Sequence, residues 1–186
     1  ANTANIGLEH TDIATNERGA IVVNDTCESS VPGVYAVGDV NGGPQFTYIS
    51  LDDFRIVFGA LTGNSQYTLK DRKNIPYTTF LTPPLSRVGL TEEDAINQGY
   101  TVKTKEMLVA TMPRAHVNDY LKGAFKIVVD ADNDLILGAT LYSQGAEELI
   151  NLIKMAMDNN IPYTYFKNQI FTHPTMAENL NDLCNF

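Results

Sequence analysis

Cysteine is scarce in this sequence. Its 186 residues hold only two, Cys27 and Cys184, far apart and in neither CxxC nor CxxxxC spacing. That excludes a disulfide framework and a cysteine zinc site, and it suits a reducing, cytoplasmic compartment. Basic residues are few as well: 13 Lys+Arg against 22 Asp+Glu give a formal net charge of -9. A nucleic-acid binder or an anionic-membrane binder needs clustered Lys and Arg to neutralise phosphate, so both are excluded. The densest basic stretch, Lys70-Asp71-Arg72-Lys73, reads as a solvated surface turn. Long apolar runs are missing, and with them any membrane-spanning helix. No GxSxG elbow, HExxH pair or GKS/T phosphate loop occurs. The opening Ala1–Asn5 is neither a signal peptide nor an initiator methionine, so the sequence reads as beginning within a longer chain.

What is present suffices for a folded core: 44% hydrophobic residues with 19% charged is no disordered polyanion. Residues 1–72 read as the end of an α/β unit. Ala20–Val23 and Val34–Val37 are short apolar runs suited to strands, separated by the turn Ser29–Gly33. Beyond the Gly42-Gly43-Pro44 loop, Ile49, Phe54, Val57, Phe58 and Leu61 recur at helical spacing, with Asp52, Asp53 and Arg55 mostly on another side. This predicts a helix from Tyr48 to Leu61, stopped by Thr62-Gly63-Asn64.

The polar stretch 64–76 lacks periodicity and places a domain boundary. From there the order turns α+β. Tyr77–Thr82 is a strand candidate, broken by Pro83-Pro84. Thr91 can cap a helix that Gly99 closes. Val102–Thr111 is a strand, and Phe125–Val129 with Leu135–Tyr142 flank the polar turn Asp130–Asp134 as a hairpin. Asp132, Asn133 and Asp134 belong to that turn; the spacing of a calcium loop is absent. From Ala146, residues Leu149, Ile150, Ile153, Ala156 and Met157 follow the i, i+3, i+4, i+7 rule of an amphipathic helix. A short helix over Met176–Leu183 ends the chain.

Two constellations carry chemistry. Gly38-Asp39 ends a strand, which puts a short carboxylate where α/β folds bind ligands. Asp39 can accept hydrogen bonds from ligand hydroxyls, or it can simply cap the following loop. In His173-Pro174-Thr175-Met176-Ala177-Glu178, proline keeps His173 out of helical geometry. Thr175 and Glu178 fit a capping box with Thr175 as N-cap. Alternatively Glu178 orients His173, and such a pair is a competent acid–base for thiol chemistry. His10 and His116, without partners at metal or triad spacing, read as surface histidines, and no metal site is expected.

Three segments in register add a family resemblance that runs from Asn2 to Leu183. VPGVYAVGDV resembles the second flavin motif of the pyridine nucleotide–disulfide oxidoreductases, the family of glutathione reductase and lipoamide dehydrogenase. VGLTEEDA is similar to the opening of that family's C-terminal dimerisation domain, and FTHPTMAENL to its closing His-Pro-Thr-x-x-Glu motif. DRKNIPYTTFLTPPLSRVGLTEE, with Pro84-Leu85 where many relatives have Pro-Glu, is similar to the reactive-chlorine-resistance reductase branch.

The resemblance implies an α+β dimerisation domain, an antiparallel sheet with helices, over 73–186. Before it, residues 1–72 would complete an α/β FAD-binding lobe. It implies FAD as cofactor, bound through Gly38, Asp39 and Thr47, with NAD(P)H as the reductant. Tyr48 departs from a proline common in relatives, which leaves the backbone there open. His173, oriented by Glu178, would be the acid–base for the thiolate and would reach the partner subunit's active site across a homodimer. Neither a GxGxxG fingerprint nor a redox CxxxxC pair occurs in the chain, so it reads as a C-terminal fragment that is inactive alone. Cys184 is single and cannot act as a vicinal tail pair. The function implied is part of an FAD-dependent oxidoreductase with a thiol, disulfide or metal-ion acceptor. The competing reading is a non-catalytic dimerisation module, which a monomeric chain would contradict.

Overall fold

The first long helix, α1 (Thr47–Leu61), begins one residue ahead of the expected start and ends where Thr62, Gly63 and Asn64 turn back on it. The Thr62 hydroxyl donates to the Phe58 carbonyl (2.7 Å), and the Asn64 N–H returns to Gly59 (2.8 Å). These are helix-ending contacts. In the computed structural model, which describes residues 1–186, the chain forms two compact units, Ala1–Lys73 and Asn74–Phe186.

In the first unit, α1 buries Ile49, Asp53 and Ile56. Phe54, Phe58 and Leu61 are exposed, although they had marked the expected apolar face. Asp53, expected on the polar side, is fully buried. The inward stripe therefore runs i, i+4, i+7 with a carboxylate in its middle. Neither Ala20–Val23 nor Val34–Val37 forms a strand; each makes one isolated bridge, Thr15↔Ile21 and Glu28↔Tyr35. Their partner segments turn away too soon to extend a ladder. Asn16 accepts the Arg18 and Ala20 N–H groups, and Asn24 accepts those of Thr26 and Glu28, so these side chains fold the backbone into tight turns.

The second unit is an antiparallel five-stranded sheet in the order β1-β2-β5-β4-β3. Its strands are β1 (Tyr77–Thr79), β2 (Leu85–Gly89), β3 (Val102–Leu108), β4 (Ala124–Asp130) and β5 (Ile136–Tyr142). The β4–β5 hairpin turns as expected. Asp130 accepts the Asp132 N–H (3.0 Å), Asn133 accepts that of Leu135 (3.0 Å), and Asp134 takes a left-handed φ of 61°. Alternation along β4 sends Phe125, Ile127 and Val129 into the core. There they share the core with Leu149, Ile150, Ile153 and Ala156 of α4 (Ala146–Asp158). Thr91 caps the short α2 (Glu92–Asn97) through a reciprocal box with Asp94.

Two strands are shorter than their apolar runs. β1 stops at Thr79, and the Leu81 N–H folds back to the Thr79 carbonyl (2.8 Å) ahead of two prolines that cannot donate to a ladder. β3 stops at Leu108. Val109–Thr111 is a 3-10 turn and α3 (Pro113–Val117) opens on proline, a residue suited to the first helical position. This delivers Val109, Met112 and Ala115 to the core by turns rather than by strand alternation. α5 (Tyr163–Asn168) and α6 (Asn179–Leu183) complete the unit, adding Tyr163, Phe166, Leu180 and Leu183 to the core. No helix is long and apolar enough to cross a membrane.

Candidate functional site

His173 stands on the loop between α5 and α6, in front of a capping turn. Thr175 is not the N-cap of α6, whose regular turns start at Asn179. The reciprocal box is nonetheless present: the Thr175 N–H donates to Glu178 Oε1 (3.0 Å) and the Glu178 N–H donates to Thr175 Oγ1 (3.2 Å). It closes a separate turn just before the helix. The other carboxylate oxygen, Glu178 Oε2, lies 2.7 Å from His173 Nδ1. The two roles left as alternatives by the sequence are thus filled together, one by each oxygen.

Neighbouring asparagines fix this loop at both ends. Asn181 Nδ2 donates to the carbonyls of Phe166 (2.6 Å) and Gln169 (2.9 Å) at the exit of α5. The buried Asn179 amide donates to those of Thr175 (3.2 Å) and Met176 (3.1 Å). Lys105 Nζ of β3 reaches the Asp182 and Asn185 carbonyls at the end of α6, where a cation complements the helix dipole. No sequence spacing announces Asn181, because its partners lie 12 to 15 residues away.

The His173 side chain is 68% exposed and its carboxylate partner 18%. The hydrogen bond from His173 is the main cause holding the Glu178 carboxyl below the ordinary glutamate range; the Thr175 N–H adds to it. An ionised Glu178 accepts from Nδ1, so in the neutral ring the proton sits there and Nε2 is left as the outward-facing base. A folded-state pKa below the unfolded one gives a contribution that is complete above the ordinary glutamate value. It is lost as pH falls from that value through the lowered one. Carbon-detected NMR titration should place Glu178 below the ordinary range, and His173→Ala should return it upward. An ordinary midpoint in both proteins would refute the pairing.

In the first unit, Gly38 and Asp39 open a four-residue 3-10 turn, Gly38–Asn41. Gly38 has φ +70°, and a Cβ there would lie 2.5 Å from Ser50 Oγ, so the turn rests directly on α1 in a left-handed conformation that favours glycine. Asp39 is exposed, and its carboxylate is free to accept hydrogen bonds. Thr47, also exposed, is the first residue of α1, behind an N-cap, Phe46, that supplies no side-chain hydrogen bond. Tyr48 lies in the regular first turn and stacks on Phe46 at 5.0 Å between ring centroids. A close-approach glycine, a free carboxylate and a helix start without a side-chain cap suit a polyhydroxylated, partly anionic ligand.

Arg72 is not part of a solvated turn. Its side chain is 10% exposed, donates from Nε to Asp52 Oδ2 (2.8 Å), and pairs with the buried Asp53. Both cysteines are buried and free. Burial raises the Cys27 thiol to about 11 and the Cys184 thiol to about 12. Neither is a thiolate at neutral pH.

The second unit is thus an α+β domain, a five-stranded antiparallel sheet with helices, that carries an exposed His–Glu pair. The chain belongs to the pyridine nucleotide-disulphide oxidoreductases: residues 75–184 match the family's dimerisation domain and residues 1–53 its pyridine nucleotide-disulphide oxidoreductase domain. It is 49% identical to the probable pyridine nucleotide-disulfide oxidoreductase RclA of Escherichia coli (strain K12), over 97% of this chain and 41% of that one. Identity to the mercuric reductase of Staphylococcus aureus is 32%, over 96% of this chain and 32% of the relative. The solved HOCl-induced flavoprotein disulfide reductase RclA from Escherichia coli superposes with a TM-score of 0.95 at 47% identity, covering 99% of this chain and 42% of that structure. The chain thus spans about a third to two fifths of the length of these relatives.

Proposed function

We propose that these residues serve an FAD-dependent NAD(P)H oxidoreductase, a cytoplasmic homodimer. The 2.7 Å contact between His173 Nδ1 and Glu178 Oε2 carries the reading, because it leaves a fixed, exposed imidazole nitrogen available for proton exchange. Gly38 and Asp39 would hold the ribityl hydroxyls, and Thr47 at the start of α1 would face the flavin pyrimidine edge. When bound, the flavin supplies two-electron exchange between nicotinamide and a disulfide.

The chain's own contribution is positional and acid–base. Asp39 accepts ligand hydroxyls, while the positive end of α1 favours negative charge at its first residues. Glu178 keeps the His173 proton on Nδ1 and stabilises the imidazolium that forms once Nε2 takes a thiol proton. The His173 loop would act in the partner's active site, which makes dimerisation part of catalysis. The acceptor would be a disulfide, a thiol-bound metal ion or an oxidant. For Escherichia coli RclA, a Cu(II) complex has been solved, which favours a metal ion among these.

Purified full-length protein should show flavin absorbance and NAD(P)H-dependent reduction of a disulfide or of Cu(II). The 186 residues alone should show neither, since they contain no GxGxxG and no CxxxxC. Turnover by the isolated chain, or a full-length protein that binds no flavin, would defeat the reading.

A further inference from the structure

A buried aspartate beneath the Asp39 turn has no role in the chemistry above. Asp53 is 0% exposed. Its Oδ2 accepts the Gly38 N–H (2.7 Å) and Asn41 Nδ2 (2.9 Å), and its Oδ1 pairs with the Arg72 guanidinium. The two turn donors come from the first and last residues of Gly38–Asn41, so Asp39 is carried between two clamped ends. Arg72 also donates to Asp52 Oδ2 (2.8 Å), which takes the Tyr67 hydroxyl as well (3.2 Å). Thr68 and Asp71 close a capping box over the turn that aims Arg72. The polar stretch before residue 74 is therefore bound back onto α1 rather than loose.

Energetics argue that this pair is kept for geometry. A buried ion pair contributes little net stability, since desolvating both charges offsets their attraction, and apolar replacements are often as stable. Asp53 sits in line with Ile49 and Ile56, where an aliphatic side chain would complete the stripe. An aliphatic residue there would leave the Gly38 N–H and the Asn41 amide without their acceptor and free the turn to move. Arg72 supplies the countercharge that lies against Asp53 Oδ1. We infer that Asp53, charge-balanced by Arg72, is a positioning residue that fixes the Gly38–Asn41 turn on α1 and so sets the Asp39 carboxylate for the flavin ribityl chain. This rests on the flavin reading proposed above.

The test uses full-length protein stripped of flavin and titrated with FAD, read by flavin fluorescence and by visible circular dichroism of the bound flavin. Asp39→Asn serves as the control on the reading itself. Asp53→Ala and Arg72→Met should each weaken FAD binding about 10- to 100-fold, the size expected for lost charge-assisted hydrogen bonds, and change the flavin dichroism. Arg72→Lys keeps the charge but not the fork that reaches both Asp52 and Asp53, so its affinity should fall between those of the parent and Arg72→Met. If Asp53→Ala does not fold, Asn41→Ala removes one clamp while leaving the ion pair, and should cost about 3- to 10-fold. If Asp39→Asn weakens FAD but the Asp53, Arg72 and Asn41 variants alter only the thermal midpoint, the positioning role is overturned and the flavin reading stands. If Asp39→Asn leaves FAD affinity unchanged, the flavin reading falls and takes the positioning role with it.

Discussion

Replacing His173 with alanine in the full-length protein is expected to slow reaction of the reduced enzyme with its acceptor by about 100-fold or more, the usual weight of a positioned acid–base. Reduction by NAD(P)H should keep its rate. The asymmetry comes from geometry. His173 belongs to a loop fixed by Asn179 and Asn181, and its Nδ1 is committed to Glu178, so Nε2 alone is left to exchange protons. A thiol leaving or attacking a disulfide needs such an exchange; delivery of hydride from a nicotinamide does not. Stopped-flow measurement separates the two half-reactions. Equal slowing of both would remove His173 from the acid–base role and make the loop merely structural. Raising the pH should restore the variant in part, because it generates without a base the thiolate that His173 would otherwise produce.

Legibility in the sequence followed periodicity and local hydrogen bonding. The α4 helix was visible because Leu149, Ile150, Ile153 and Ala156 fall on one face and all reach the core. The hairpin and the Thr91 cap were visible because Asp, Asn and Thr act there on backbone two or three residues away. β2 was passed over. It follows two prolines, is five residues long, and turns Ser86 inward beside Val88, so its alternation carries one large apolar residue. Ser86 is tolerated inside because its hydroxyl lies 2.8 Å from that of Thr78. The short helices α3 and α5 lack enough turns for a period to show.

The site divided along the same line. His173 and Glu178 are five residues apart and could be paired from sequence alone. That one carboxylate would serve both the cap and the imidazole could not be read there, since the capping pattern already accounted for Glu178. Asp53 and Arg72 are 19 residues apart, in segments read as an exposed helix face and a solvated turn. Charge makes such residues look like surface until the partner is known. The first unit misled for a related reason. Its apolar runs have the composition of strands, but Asn16 and Asn24 bend the neighbouring chain after a single bridge.

Gly123→Ala should have the reverse signature to His173→Ala: a large loss of folding stability with the chemistry intact in whatever remains folded. Gly123 precedes β4 with φ +125°, a backbone conformation that L side chains rarely adopt, and a Cβ there would lie 1.8 Å from the Tyr142 carbonyl oxygen. Its own carbonyl accepts the Val109 N–H (3.0 Å). Three segments therefore meet at one Cα: the start of β4, the end of β5 and the turn after β3. The methyl group cannot be accommodated by a rotamer change, because the obstacle is backbone. Either the Ala124↔Tyr142 pairing opens or the Val109 turn lifts from the core. Backbone strain and overpacking together should cost about 2–5 kcal/mol, read as a lower denaturant midpoint with an unchanged slope. The His173 loop is tied by hydrogen bonds to the exit of α5 through Asn181 and to its own turn through Asn179. The folded fraction of Gly123→Ala should therefore react with acceptor at the parent rate. A fall in that rate matching the His173→Ala defect would show the loop depends on the β4–β5 corner, and an unchanged midpoint would show the close approach at Gly123 is relieved by a route the backbone here does not offer.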